Sequence, residues 1–197
     1  PDRVVASISY FWGGHDKFTL FYQGYSPAGY SYTYNGDLNG DGISNDLMYI
    51  PKDDSEIKFT NEADRAPFWQ YVEQDSYLKN HKGEYAEAYS ARAPFVHRFD
   101  FKYAHVFTLR TGSVNHKLEL GFDIMNVGNL FSSKWGVEKN MNDAYSGKFL
   151  NVDKVVDGVP YFSMRNNKGV YPTQTWSYIK NYTQCWKLQI GVKYYFN

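Results

Sequence analysis

The sequence predicts an all-β chain: an antiparallel transmembrane β-barrel segment, a partial barrel of about five strands, with long extracellular loops of which one contains a short helix. Three observations predict it. Apolar and polar residues alternate with a period of two over stretches of about ten residues, the length of a tilted strand crossing a hydrocarbon layer. The 197 residues include 19 Tyr, 14 Phe and 5 Trp, side chains that suit pleated, half-buried surfaces. Short turns join the strands at one end and two long segments join them at the other, as in outer-membrane barrels.

A first strand, near residues 3–12, places Val4, Ala6, Ile8, Tyr10 and Trp12 on one face and Val5, Ser7, Ser9 and Phe11 on the other. Gly13, Gly14, His15 and Asp16 form a turn signal. The second strand, near 17–34, aligns Phe18, Leu20 and Tyr22, and the alternation of Tyr30, Tyr32 and Tyr34 with small polar residues extends it past Pro27 and Gly29. A long loop over 35–96 then breaks the pattern and holds one helix, with Pro67 at its first position and Phe68, Tyr71, Val72 and Leu78 sharing a face. A connection of this length in a compact domain argues for a folded functional loop.

The third strand, near 97–110, aligns Phe99, Phe101, Tyr103, Phe107 and Leu109, interrupted on that face by His105. Thr111, Gly112 and Ser113 turn the chain into a fourth strand near 116–131, in which Leu118, Leu120, Phe122 and Ile124 alternate with Glu119, Gly121, Asp123 and Met125. A second long loop, 132–182, contains strand-like pieces at 148–156 and 159–164. The fifth strand, near 183–196, carries Trp186, Leu188, Ile190, Val192, Tyr194 and Phe196 on one face, and these six are the expected lipid-facing residues.

Composition excludes several classes. Lys plus Arg is 21 and Asp plus Glu is 21, so no global field attracts nucleic acid, which is not an expected partner. One cysteine, Cys185, makes neither an internal disulfide nor a structural zinc site; it falls opposite Trp186 and is expected to face the lumen as a small filler. A mean hydropathy of −0.59 argues against a membrane-spanning helix. It leaves a barrel open, because only alternate residues of a barrel strand face lipid.

A soluble β-sandwich also alternates. Against it stand the strand lengths, the charges Asp100, Lys102, Glu119, Asp123, Lys187 and Lys193 on the non-apolar face, and aromatics gathered at strand ends, as in Tyr10–Trp12 and Tyr194–Phe196. Five strands do not close, and an open edge in lipid leaves backbone groups unpaired, so more strands are expected, either within 132–182 or in a larger barrel.

Four stretches in order resemble the TonB-dependent outer-membrane receptors, in particular the Oar-like branch of Bacteroidota. They are SYTYNGDLNGDGISNDLMYIP (31–51), the run from Phe68 to Tyr103 with its R-x-D strand entry at Arg98 and Asp100, LGFDIMNVGNLFSSKWG (120–136) with Asn126, Asn129, Leu130 and Trp135, and the closing strand to Phe196. The resemblance implies that residues 1–197 are the C-terminal part of a 22-stranded receptor barrel in the bacterial outer membrane. The C-terminus would be periplasmic and the loops extracellular, taking part in active transport of an unidentified ligand. It implies outer-membrane lipid and the barrel-assembly machinery, acting through the last strand, as partners. TonB would be reached only through a plug region that the stretch does not include, so this stretch alone is not expected to transport. Nothing resembles the C-terminus that pairs with a SusD-like lipoprotein.

Site signals are few. DLNGDGISND offers oxygen ligands at Asp37, Asn39, Asp41 and Asp46, the Ile43 carbonyl, and Gly42 for a sharp turn, a calcium-loop candidate. The twelfth position from Asp37 is Met48 rather than Glu, so it is not an EF-hand, and the alternative is a polar turn whose side chains bond local amides. His15, His81, His97, His105 and His116 are dispersed, and no catalytic constellation is found, so an enzyme is not expected. A soluble secreted calcium-dependent β-sheet binding module is the alternative reading.

Overall fold

The computed structural model describes residues 2–27, 29–141 and 147–196. The chain is predominantly β and its strand ladders are antiparallel. Seven strands of six residues or more lie among the described residues: β1 (Arg3–Trp12), β2 (Asp16–Tyr25), β3 (Val96–Thr111), β4 (Val114–Met125), β5 (Leu150–Val156), β6 (Val159–Met164) and β7 (Lys187–Phe196). Helices α1 (Arg65–Gln74), α2 (Ser76–Asn80) and α3 (Gly128–Phe131) complete the regular elements named below.

Chain contacts divide the protein into two units. The first comprises Pro1–Pro27, Pro94–Glu138 and Tyr178–Asn197, and the second Ala28–Ala93 and Lys139–Ser177. The first is one sheet in the order β1-β2-β3-β4-β7, with β1 and β7 as open edges. Its tight turns have physical causes. In the three-residue connection Gly13–His15 between Trp12 and Asp16, Gly13 and Gly14 both take positive φ, 58° and 72°, which glycine adopts without a Cβ penalty. Gly112 at φ 63° closes the β3–β4 hairpin. Both tight turns and the end of β7 lie at one end of the sheet, since Phe196 pairs with His116 just after the second turn. Both long excursions depart from and rejoin the strands at their other ends.

The second unit contains the entire buried apolar cluster. Phe149 sits against Tyr71, Tyr32 and Phe68 at ring-centroid distances of 4.5, 6.0 and 6.0 Å, and Tyr34 stacks on Phe162 at 5.1 Å. Residues a hundred or more positions apart knit it together. Asp64, 3% exposed, accepts from the Met164 amide at 2.9 Å and the Tyr171 hydroxyl at 2.6 Å. Gln74 donates to Thr175 at 2.8 Å. Buried Asp75 caps α2 by accepting from the Tyr77 and Leu78 amides, and it also accepts from the Tyr32 hydroxyl. Burial and that carboxylate push the Tyr32 hydroxyl up in pKa; burial pushes Tyr34 up to about 12.

Several expected boundaries move. The strand expected over 17–34 ends at Tyr25, where Pro27 cannot donate to a ladder, and Ala28 within it lies outside the described residues. Tyr30, Tyr32 and Tyr34 do alternate, but Tyr32 and Tyr34 are buried in the second unit's core instead of prolonging the sheet. The helix begins at Arg65, so Pro67 is its third residue, still in the first turn, where a missing N–H costs nothing, and Leu78 belongs to α2. The strand expected over 116–131 stops at Met125 because Asn126 turns to φ 52°. The last strand starts at Lys187, after a turn of 3-10 helix at Tyr182–Gln184. The loops 35–96 and 132–182 are not irregular connections: most of their residues build the second unit, with 142–146 outside the described residues. The pieces expected at 148–156 and 159–164 are the β5–β6 hairpin, which is separate from the five-stranded sheet.

Candidate functional site

Residues directly opposite in an antiparallel pair share a face, so the registers assign both faces of the five-stranded sheet. One row runs Ile8–Leu20–Phe101–Ile124–Leu188, and the next Tyr10–Phe18–Tyr103–Phe122–Ile190. Nearer the tight turns, Leu120 lies beside Val192, Phe107 and Leu118 beside Tyr194, and Leu109 and His116 beside Phe196. The first two of these rows are apolar from edge to edge, and the face is open: Ile8 is 70% exposed, Ile190 62% and Phe196 75%. Of the six expected lipid-facing residues, Leu188, Ile190, Val192, Tyr194 and Phe196 lie on this face of β7, and Trp186 immediately precedes the strand; all six are exposed.

Polar groups on the apolar face are paired with one another. Asp16 accepts from the Tyr103 hydroxyl and is bonded to His105 Nδ1, both at 2.6 Å. His116 Nδ1 meets the Tyr194 hydroxyl at 2.5 Å, and His97 Nδ1 the Tyr22 hydroxyl at 2.9 Å. An unpaired polar group away from water costs a few kcal/mol, of order 2–7, and each of these groups has its partner on the same face. In the sequence His105 is only an interruption of the apolar pattern; its partner Asp16 lies 89 residues away, and the strand register brings both beside Tyr103.

The opposite face is polar. Lys102 pairs with Asp123 at 3.0 Å, Lys193 with Glu119 at 3.1 Å, Arg98 with Asp100 at 3.8 Å, and Ser9 bonds Thr19 at 2.8 Å. Cys185 caps the 3-10 turn at Tyr182–Gln184, just before β7, and is exposed.

At the far end of β4 the N-x-x-N-L residues act as a clamp. The Asn126 amide donates to Asp100 at 2.6 Å, and its buried side chain donates to the carbonyls of Gly136 and Gln184 at 3.2 and 2.8 Å. Asn129 accepts from the Trp186 amide at 3.2 Å and donates to the Trp135 carbonyl, also at 3.2 Å. Thus Arg98, Asp100, Asn126 and Asn129, singled out from sequence, converge where β4 hands the chain on towards β7. Gly136 at φ 63° lies so close that a Cβ there would be 2.0 Å from Asn126 Oδ1. Gly136→Ala is expected to destabilise the sheet by about 2 kcal/mol or more, from left-handed strain plus a displaced clamp. The check is its denaturation midpoint against that of Gly14→Ala, whose positive φ is similar but whose surroundings are empty.

In the DLNGDGISND loop the candidate ligand oxygens are turned to the loop's own amides. Asp37 accepts from Gly40, Asp41 and Gly42, Asn39 from Asp41, Asp41 from Ile43, and Asp46 from Leu38 and Asn39. The Ile43 carbonyl accepts from the Asn45 amide at 3.1 Å. Among the described residues no group of three or more His, Cys, Asp or Glu side chains is arranged to hold a metal ion. This is the bonding of a polar turn. Asp37→Ala is therefore expected to speed proteolysis of the loop equally in calcium and in chelator.

Elsewhere in the second unit, the Trp69 indole, followed by Arg65, holds the Asp54 carboxyl below its ordinary range, and Arg65 does the same for Glu62. The His15 and His105 rings lie 6.4 Å apart, and His81 stacks on Tyr77 in the second unit. No helix among the described residues is long and apolar enough to cross a membrane. Compared with protein-family models, curated proteins and solved structures, the chain matches none.

Proposed function

We propose that this chain is a sector of a transmembrane β-barrel in the bacterial outer membrane, part of a TonB-dependent active-transport receptor for an unidentified ligand. The observation that carries the barrel reading is the pair of unlike faces. An edge-to-edge apolar surface lies open to the surroundings with its polar groups paired laterally, while the reverse face carries ion pairs. In lipid the apolar face meets hydrocarbon and the polar face a wet lumen. In a soluble sandwich that apolar face would be buried against a second sheet, whereas Ile8, Ile190 and Phe196 on it are exposed.

Strand dimensions agree. β1, β2 and β7 each have 10 residues, and about 9–11 cross a bilayer at a tilt of about 45°. The open edges of β1 and β7 need further strands, because unpaired backbone in lipid costs several kcal/mol per group. The transport assignment is supported by the four stretches that resemble the receptor family and by the folding of both long excursions into a cored unit, as a ligand-facing loop domain requires.

The test is to purify the full-length protein and follow its β-sheet circular dichroism and heat-dependent electrophoretic mobility. A species that is folded only in detergent or lipid, and that migrates differently when unboiled, supports the proposal. A cooperative, monomeric fold in plain buffer overturns it.

A further inference from the structure

The chemistry of the apolar face changes along the strands. Its row Trp12–Asp16–His105–Leu120–Val192 adjoins the β1–β2 turn and carries a carboxylate, whereas the next two rows, which begin at Tyr10 and Ile8, carry no charge. An open hollow of about 700 Å³ crosses all three rows. Trp12, Asp16 and His105 line its polar end, and Ile124 and Leu188, directly opposite each other, line its far end. Between these ends the Tyr103 ring lies between Phe18 and Phe122, at centroid distances of 4.9 and 6.4 Å. Two residues of strand separate successive rows, so the passage from carboxylate to aliphatic carbon spans roughly 13 Å at about 3.3 Å per residue.

Asp16 brings the one carboxylate to this lining, and neither Lys nor Arg lines the hollow among the described residues. The Tyr103 hydroxyl and His105 Nδ1 both bond Asp16 Oδ1. They fix the carboxylate and leave Oδ2 without a hydrogen bond among the described residues, on a side chain that is 22% exposed. Trp12 stands opposite Asp16 in register and brings an exposed indole to the same end. Indole is the side-chain ring that holds a cation best.

The geometry points to a phospholipid with a primary-ammonium headgroup, of the ethanolamine class, as the occupant of this hollow. Its ammonium donates to Asp16 Oδ2 beside Trp12, and an acyl chain lies over the three rings towards Ile124 and Leu188. The one formal charge in the lining is negative, which favours a headgroup carrying an amine over one carrying phosphate alone. The aromatic and aliphatic rows are what an acyl chain covers and a small free amine does not. The polar end adjoins a tight turn, where a strand passes from hydrocarbon to headgroups, so the hollow and a lipid in its leaflet point the same way. The inference rests on the reading that the apolar face meets lipid, and it adds a headgroup preference at one place on that face.

The test reconstitutes the full-length protein in vesicles of equimolar phosphatidylethanolamine and phosphatidylglycerol, extracts it gently, and identifies the lipid it retains by native mass spectrometry. The expected result is an excess of phosphatidylethanolamine of about threefold or more, as an ion pair and a cation–π contact together give. Asp16→Asn and Trp12→Leu should each bring the ratio back towards one while heat-dependent mobility is kept. Carbodiimide treatment of the unaltered protein in the same vesicles gives the position: the lipid amine and the Asp16 carboxyl form an amide, and the water lost passes to the carbodiimide. Equal retention of the two lipids, an excess of phosphatidylglycerol, or no lipid amide at Asp16 overturns the inference, whether or not the variants fold. An excess that survives both substitutions overturns it as well. A membrane-soluble carbene label in the same vesicles separates the two claims: label absent from Ile190 and Phe122 defeats the membrane reading itself, whereas label present with equal lipid retention defeats the headgroup site alone.

Discussion

Ile190→Arg is expected to cost the folded protein about 2–4 kcal/mol in lipid, the depth-dependent price of a guanidinium near the bilayer midplane. Ile190 stands in the row Tyr10–Phe18–Tyr103–Phe122–Ile190, midway along β7, and is 62% exposed on the apolar face. Gln189→Arg is the control. It lies one residue away on the polar face beside Asp123, so the same cation there meets water and a carboxylate and should change stability by less than about 1 kcal/mol. Urea titrations of the protein refolded into vesicles measure both. Equal losses at 189 and 190, or equal tolerance, would mean that the two faces do not differ in solvent.

Phe149→Ala is expected to have the larger effect of the second kind, on the loop unit rather than the sheet. Phe149 is fully buried and touches Tyr32, Phe68 and Tyr71, so its truncation removes a ring that both excursions share and costs about 3–5 kcal/mol. Because Asp64, Gln74 and Phe59 already tie 28–93 to 139–177, the two excursions should become protease-sensitive together. The sheet should keep its detergent-dependent β signal. Cleavage confined to the segment around Phe149, with 28–93 still protected, would show that the excursions fold separately.

The five-stranded sheet was legible because its signal is local. Period-two alternation survives in each strand, and two glycine turns fix which strands are neighbours, so β1, β3 and the apolar face of β7 emerge with small boundary errors. The same rule misled at Tyr30, Tyr32 and Tyr34. Alternation reports an extended backbone with one side out of water, and it does not say whether lipid or a protein core lies on that side. The loop unit was illegible for a related reason. Its core joins Tyr32 to Phe149 and Asp64 to Met164, a hundred residues or more apart, and nothing local encodes such pairing. Asn126 and Asn129 stood out by resemblance, but their work as a clamp depends on Gly136, Gln184 and Trp186, which only the fold brings near. The DLNGDGISND loop was readable in both its senses, since the oxygens that ligate a cation are the ones that cap backbone amides.

The most direct test of the central claim is accessibility along β7. Single nitroxide labels would be placed from Leu188 to Lys193, in full-length protein with Cys185 replaced by serine, reconstituted in lipid vesicles. Collision rates with oxygen, which concentrates in hydrocarbon, would be compared with those for a water-soluble nickel chelate. The expected pattern has a period of two, with Leu188, Ile190 and Val192 relaxed by oxygen and Gln189, Gly191 and Lys193 by the chelate. If all six respond to the chelate alike, or if the even-numbered positions are shielded from both reagents, the apolar face meets water or a protein core, and the barrel reading is contradicted.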